Sequence, residues 1–283
     1  MLELEMHGGR GRAAADRRSL RLRAGALLLV AGFLAGCATS PLGRQQLKLV
    51  SKAEVDQAGE AAFRQLLRQQ PVSRDSAVNA YIFCVAHAVT DALSGPAARI
   101  QWQVVVFDSL ELNAFALPGG KIGVNRGILR VARTQDQLAA VIGHEVAHVV
   151  AEHANERMSA EYATGTAIAL GASAAGTAGP GLGEAAALLG AGAQMGVLLP
   201  YSRSHESEAD LVGLDLMARA GFDPSQAIFL WENMRRNSGG SASEFLSTHP
   251  SQSQRTRDLE ERLPQAEGIY RRAVSRGRRP HCS

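Results

Sequence analysis

The chain has 283 residues, of which 46% are hydrophobic and 20% charged, ordinary values for one or two globular domains able to bury a core. Its formal net charge is +3, but residues 1–36 hold six arginines, no lysine and three acids, so the remainder is formally neutral. That removes the electrostatic case for nucleic-acid binding.

At the amino terminus Arg10, Arg12, Arg17, Arg18, Arg21 and Arg23 precede an apolar run over 24–36. A positive flank before a short apolar stretch is the layout of a secretory signal peptide. The run is short against the ~20 residues that span a bilayer, although an uncleaved anchor helix is the other reading. It ends in Leu34-Ala35-Gly36-Cys37, which resembles the bacterial lipobox. The resemblance implies removal of 1–36, acylation of Cys37, and membrane attachment by lipid. Ala38, where an Asp would retain a lipoprotein inside, implies an outer-membrane lipoprotein facing the periplasm. Residues 37–49 are then expected to be a lipidated tether. Export to an oxidising compartment would let Cys84 and Cys282 pair and pin the carboxyl terminus. Two free thiols are equally compatible, since pairing needs Cα atoms within roughly 7 Å and sequence does not give that distance.

Further along, 51–67 reads as a helix, with Ser51 and Glu54 forming a capping box. A second helix is predicted over 73–93 from apolar Val78, Ile82, Val85 and Val89. The Val-rich stretch 102–107 suits a buried strand, and 113–117 a short extended piece. Pro118-Gly119-Gly120 marks a turn, making 121–125 the return strand of a hairpin. Thr134 with Gln137 reads as another capping box, opening a helix that continues to about 157. Residues 164–199 are poor in charge and rich in Gly and Ala. Gly176, Gly179, Pro180, Gly181 and Gly183 divide them into two short helices rather than a membrane span. Helices follow over 204–220, 225–236 and 251–263, and 266–283 reads as a basic, solvated tail.

The chemistry is concentrated in His144-Glu145-Val146-Ala147-His148. Four-residue spacing on a helix puts both imidazoles on one face, one turn apart, where both reach one metal ion. Zinc takes such nitrogen ligands in a tetrahedral site with one position open for water. It lowers the pKa of that water to about 7, and Glu145 would accept the proton and pass it to the leaving amine. The flanking Leu138, Val141, Ile142, Val149 and Val150 are apolar, and a polar triplet in a buried helix needs a partner such as a metal. A third ligand is required. His153 arrives one residue early for the longer zinc motif in which a third His follows a Gly, and Ala151 stands where that Gly belongs. His153 reads better as a helix-end histidine. Candidates lie downstream in Ser204-His205-Glu206-Ser207-Glu208-Ala209-Asp210.

Together, HEVAH, ESEAD and His249-Pro250 resemble zinc metallopeptidase family forty-eight, which includes the CAAX prenyl proteases and the BepA- and LoiP-type periplasmic proteases. The resemblance covers roughly residues 50–265. It implies an α+β, mainly helical zincin domain of gluzincin type, with a small β-hairpin or sheet over the active-site helix. It implies one Zn2+ per chain, held by His144, His148 and Glu206, with Glu145 catalytic. Asp210, one helical turn past Glu206, would fix the tautomer of a ligand histidine. Glu208 would face solvent, and His205 has no place in the pattern. His249 would lie near the zinc, either stabilising the oxyanion or filling the open position. Arg255 matches the family's Arg after His-Pro, with a structural ion pair the other reading. Asn113, Ala114 and Phe115 would be an edge strand that pairs with extended substrate through main-chain bonds, or simply part of a hairpin. The expected activity is endopeptidase cleavage of misfolded or unassembled envelope proteins. The alternative is a latent protease acting mainly as a chaperone-like outer-membrane assembly factor, with segment 164–199 or His249 as plug. A partner in the assembly machinery is compatible with either, and nucleic acid with neither.

Overall fold

The computed structural model describes residues 37–174, 201–237, 245, 249 and 253–283. The expected signal peptide 1–36 and residues 175–199 of the Gly/Ala-rich segment lie outside the described residues; 164–174 continue a helix.

The stretch expected as a tether is folded. β1 (Cys37–Thr39) and β2 (Gln45–Leu47) pair antiparallel as a hairpin. α1 (Lys52–Gln69) opens on the expected capping box, with both reciprocal Ser51–Glu54 bonds made. α2 (Ser76–Thr90) starts later than predicted. Asp75 caps it by accepting from the N–H groups of Ala77 and Val78, while Ser73 is buried and its N–H donates to the Val106 carbonyl.

β3 (Gln103–Phe107), β4 (Ala114–Leu117) and β5 (Lys121–Asn125) form a sheet in the order β3-β5-β4. β5 runs antiparallel to β4, as the hairpin predicts, and also parallel to β3. β4 is therefore an edge strand. Gly119 and Gly120 turn the hairpin at φ 79° and 78°, a backbone region open chiefly to glycine.

α3 (Gln135–Val150) is the central helix, buried without a break from Gln137 to His148. Burial all round is what an unbroken apolar face demands. Around it pack α2, β4, α5 (Arg203–Ala220) and α6 (Gln226–Asn237). Its capping box is half made. The Thr134 hydroxyl accepts from the Gln137 N–H, but the Gln137 Oε1 accepts from Arg133 N–H at 2.8 Å rather than reaching back to Thr134. Nor does α3 continue to 157. The backbone breaks after Val150, where Glu152 adopts φ 53°, and α4 (His153–Ala174) begins in a new direction.

α3 and α5 cross with their backbones touching. A Cβ on Gly213 would lie 2.8 Å from the His144 nitrogen, and one on Gly143 would lie 2.9 Å from the Gly213 carbonyl oxygen. Two glycines at the crossing bring the helices close enough for side chains on either side to share one small space.

α7 (Ser253–Ser275) runs through Pro264 and well past the predicted end. Ala266 and Ala273 are buried on it, and that apolar contact holds the helix beyond the proline. The expected solvated tail is thus helical to Ser275 and docked afterwards. Cys282 is bonded to Cys84 with Cα atoms 5.6 Å apart. Its N–H donates to Gln135 Oε1 at 2.9 Å, and Gln135 Nε2 donates to the Pro280 carbonyl at 3.0 Å. Among the described residues no helix is long and apolar enough to cross a membrane.

Candidate metal centre

α3 presents His144, Glu145 and His148; α5 presents Glu206 and Asp210; His249 donates its N–H to the Phe245 carbonyl at 2.8 Å. One ligand atom from each of His144, His148, Glu206 and His249 lies within 4.8 Å of all the others, and all four residues are buried. His144 Nε2 stands 3.1 Å from His148 Nε2 and 3.2 Å from His249 Nδ1. Glu206 Oε1 is 2.9 Å from His249 Nδ1 and 3.5 Å from His148 Nε2. Three ring nitrogens and a carboxylate converging in this way fit a cation that favours nitrogen and oxygen donors in tetrahedral array. Glu145 Oε1 and Glu206 Oε2 support the fit, since both are buried with no hydrogen-bond partner, a condition that needs an explanation in a native site.

Asp210 Oδ1 lies 2.9 Å from His144 Nδ1, which fixes the ring so that Nε2 faces the cluster. Arg255 is buried at 2% exposure and grips Asp210 with two bonds, Nε to Oδ2 at 2.5 Å and Nη2 to Oδ1 at 2.7 Å. Its Nη1 also lies 2.9 Å from Glu206 Oε2 as an ion pair, without the alignment of a hydrogen bond. The guanidinium packs 4.0 Å over the ring of Trp231. Arg255 thus makes the structural ion pair, holding Asp210 and through it the ring of His144.

Burial pushes His144 down, yet Asp210 and Glu206 outweigh it and carry its pKa up to about 9. Burial would raise Glu206, but the imidazoles of His144 and His249 that face it hold it well below the usual carboxylate range. Glu145 is raised chiefly by burial, and the Ala116 N–H donates to its carboxylate. Its Oε1 is 3.4 Å from His249 Nε2. Because Ala116 belongs to β4, which among the described residues pairs on one side only, that edge of the sheet reaches Glu145 directly. Ala114 and Phe115 lie on that strand, and Asn113 just before it accepts from the Asn125 N–H at 3.0 Å.

Two expectations are corrected. Glu208 does not face solvent: it is buried at 4% exposure and bonded to Arg44 Nε at 3.0 Å. His153 is not at the end of the long helix; it starts α4, fully buried, with Nδ1 3.0 Å from His148 Nδ1 and Nε2 3.2 Å from Glu208 Oε2. His205, given no place before, stacks on His153 at 4.5 Å and pairs with Glu156 Oε2 at 3.2 Å. Tyr201 stacks on His148 at 3.9 Å. No local sequence signal marked these residues: His205 and Glu208 stand in the polar run Ser202-Arg203-Ser204-His205-Glu206-Ser207-Glu208, and Arg44 carried none either.

The model of peptidase family M48 matches residues 76–263. The chain is 42% identical over 178 residues to the mitochondrial metalloendopeptidase OMA1 of Schizosaccharomyces pombe, across 62% of this chain and 50% of that protein. It is 31% identical over 214 residues to a putative beta-barrel assembly-enhancing protease of Vibrio cholerae, across 73% of this chain and 43% of that one. With the beta-barrel assembly-enhancing protease of Escherichia coli it shares 28% over 216 residues, across 74% and 44%. The matches span half or less of those relatives' lengths.

Proposed function

The chain belongs to peptidase family M48, a family of zinc metallopeptidases, and from that premise we propose that it is a zinc endopeptidase of a bacterial envelope, clearing misfolded or unassembled periplasmic and outer-membrane proteins. The observation that carries the reading is Glu145 standing between two histidines that share a buried donor cluster with Glu206. His144, His148 and Glu206 would hold the ion. When bound, zinc supplies a Lewis acid for the scissile carbonyl and acidifies a water. Glu145 would take a proton from the attacking water and deliver it to the leaving nitrogen. Burial raises the proton affinity of this carboxylate, the direction that strengthens a general base. Asp210 and Arg255 keep His144 oriented. The β4 edge beside Glu145 offers an extended substrate backbone partners. The Arg-rich flank and Leu34-Ala35-Gly36-Cys37 support lipid attachment at Cys37 on the periplasmic side of the outer membrane.

The test is hydrolysis of an unfolded model protein by the full chain, beside Glu145→Gln and a chelator control. Cleavage lost in both controls is the expected result. Cleavage that survives either one removes Glu145 or the metal from the chemistry. Labelling with a fatty-acid analogue, present in the parent and absent in Cys37→Ser, checks the anchor.

A second reading rests on His249, whose Nδ1 occupies the fourth place in the donor cluster. That geometry supports a latent protease which serves mainly as an assembly factor, in keeping with the names of the bacterial relatives. Under this reading His249→Ala raises hydrolysis; under the first it lowers it by removing a group that stabilises the oxyanion.

A further inference from the structure

We propose that His153, Glu208 and Arg44 position the ligand His148, which makes the amino-terminal β1–β2 hairpin a working part of the metal centre. The proposal rests on reading His148 as a ligand.

A ligand histidine must turn one nitrogen to the metal and bond the other to something fixed. For His144 that partner is Asp210, held in turn by Arg255. His148 turns Nε2 to the cluster, and its Nδ1 meets His153 Nδ1 at 3.0 Å. With the Nε2 lone pair facing the cation, His148 carries its hydrogen on Nδ1 and donates it. His153 Nδ1 must then accept, so its own hydrogen sits on Nε2 and is donated to Glu208 Oε2 at 3.2 Å. Glu208 is held by Arg44 Nε at 3.0 Å and by the Leu42 N–H at 3.3 Å. Every donor in this line meets an acceptor, and the assignment admits one tautomer at each ring.

The two lines are parallel in design. Each ends in a carboxylate of α5, Asp210 or Glu208, clamped by an arginine from a distant part of the chain. The difference is where the arginine comes from. Arg255 is on α7, inside the catalytic fold, whereas Arg44 lies in the loop between β1 and β2. Arg44 also binds Glu156 at 2.6 and 2.7 Å, and Gln46 Nε2 donates to the Ala151 carbonyl at 2.7 Å. The hairpin is thus seated on the break between α3 and α4, where His148 and His153 are brought together.

The experiment is zinc affinity of the full chain by chelator competition, with the absorption spectrum of the cobalt form as a second readout. His153→Leu and Glu208→Leu should each weaken zinc by about 10–100-fold, the range for outer partners of metal-bound histidines, and the double variant should be no weaker than the worse single. His153→Asn, which keeps an acceptor near the place of Nδ1, should recover most of the loss. Arg44→Gln should weaken zinc by several-fold and shift the cobalt spectrum. Parental affinity and spectrum in a folded His153→Leu overturn the proposal. If that variant does not fold, parental affinity and parental cobalt spectrum in a folded Arg44→Gln overturn it. A parent that binds no zinc is a different failure, that of the metal reading itself.

Discussion

Gly213→Ala tests whether the helix crossing sets the metal geometry. In an exposed helix the change would stabilise by ~1 kcal/mol through backbone propensity. Here the new methyl would sit 2.8 Å from the His144 nitrogen and 2.9 Å from both the Gly143 carbonyl carbon and the His144 Cα. Relaxed carbon contacts lie at about 3.5–4.0 Å, so α3 and α5 must part by roughly 0.7 Å. All three obstructing atoms are backbone, so no rotamer change relieves them. Overpacking of this kind costs ~1–3 kcal/mol, and its upper end less the propensity gain leaves about 2 kcal/mol of net destabilisation. The effect on the site should be larger than the effect on the fold. Ligand distances tolerate only about ±0.2 Å, while the parting separates His144 from Glu206 and Asp210. Zinc affinity should fall by at least about tenfold, as it does when supports of a ligand are lost. Denaturant unfolding and chelator competition measure the two quantities. Gly268→Ala on α7 is the control: its Cβ would meet only the mobile end of Arg272 at 3.5 Å, and it should stabilise. A Gly213→Ala protein as stable as the parent, with parental zinc affinity, would refute the argument.

Glu145→Gln should keep zinc and lose hydrolysis by about 10²–10⁴-fold, the usual contribution of a general base; turnover within tenfold of the parent would count against that role. Cys282→Ser should destabilise by ~2–4 kcal/mol, since the Cys84–Cys282 bond closes a long loop, and reducing agent should lower the melting temperature of the parent but not of the variant. Hydrogen bonds to Arg44 and Gln46 outweigh burial and hold Glu156 below its ordinary value of 4.5. A depressed carboxylate contributes stability that is fully present above its unfolded value and is lost as pH falls through its folded one. Acidification below about pH 4.5 should therefore loosen the β1–β2 hairpin from α4, seen as faster amide exchange in residues 37–48, and Glu156→Gln should weaken that dependence, leaving the part due to Glu208, which accepts from Arg44 and Leu42 and is likewise held low.

Local signals were legible in the sequence. Ser51 with Glu54, the turn at Gly119 and Gly120, and β5 follow from neighbours a few residues apart. The spacing of His144, His148, Glu206 and Asp210 expresses helical geometry, and the structure gathers these residues in one place. Less legible was everything set by distant packing. Gln137 could cap Thr134 or Arg133, and tertiary position decided it. Nothing between Val150 and Glu156 announces the break at Glu152. Glu208 was read as solvated because its helical angle turns it away from Glu206. It does turn away, but toward His153 and Arg44, the latter 164 residues distant. The last helix was read only as far as 263; it runs on through Pro264, and the burial of Ala266 and Ala273 shows why.

The Cys84–Cys282 bond closes a covalent ring that contains His144, His148, Glu206 and His249. A single cut anywhere inside that ring releases no fragment. A molecule that clipped itself, or was clipped by a neighbour, would keep its mobility on a non-reducing gel and gain only the mass of one water. Its two pieces would separate on reduction. Any maturation by internal cleavage would therefore leave the donor set on one connected molecule, and experiments that score processing by band shift must compare both gel conditions to see it.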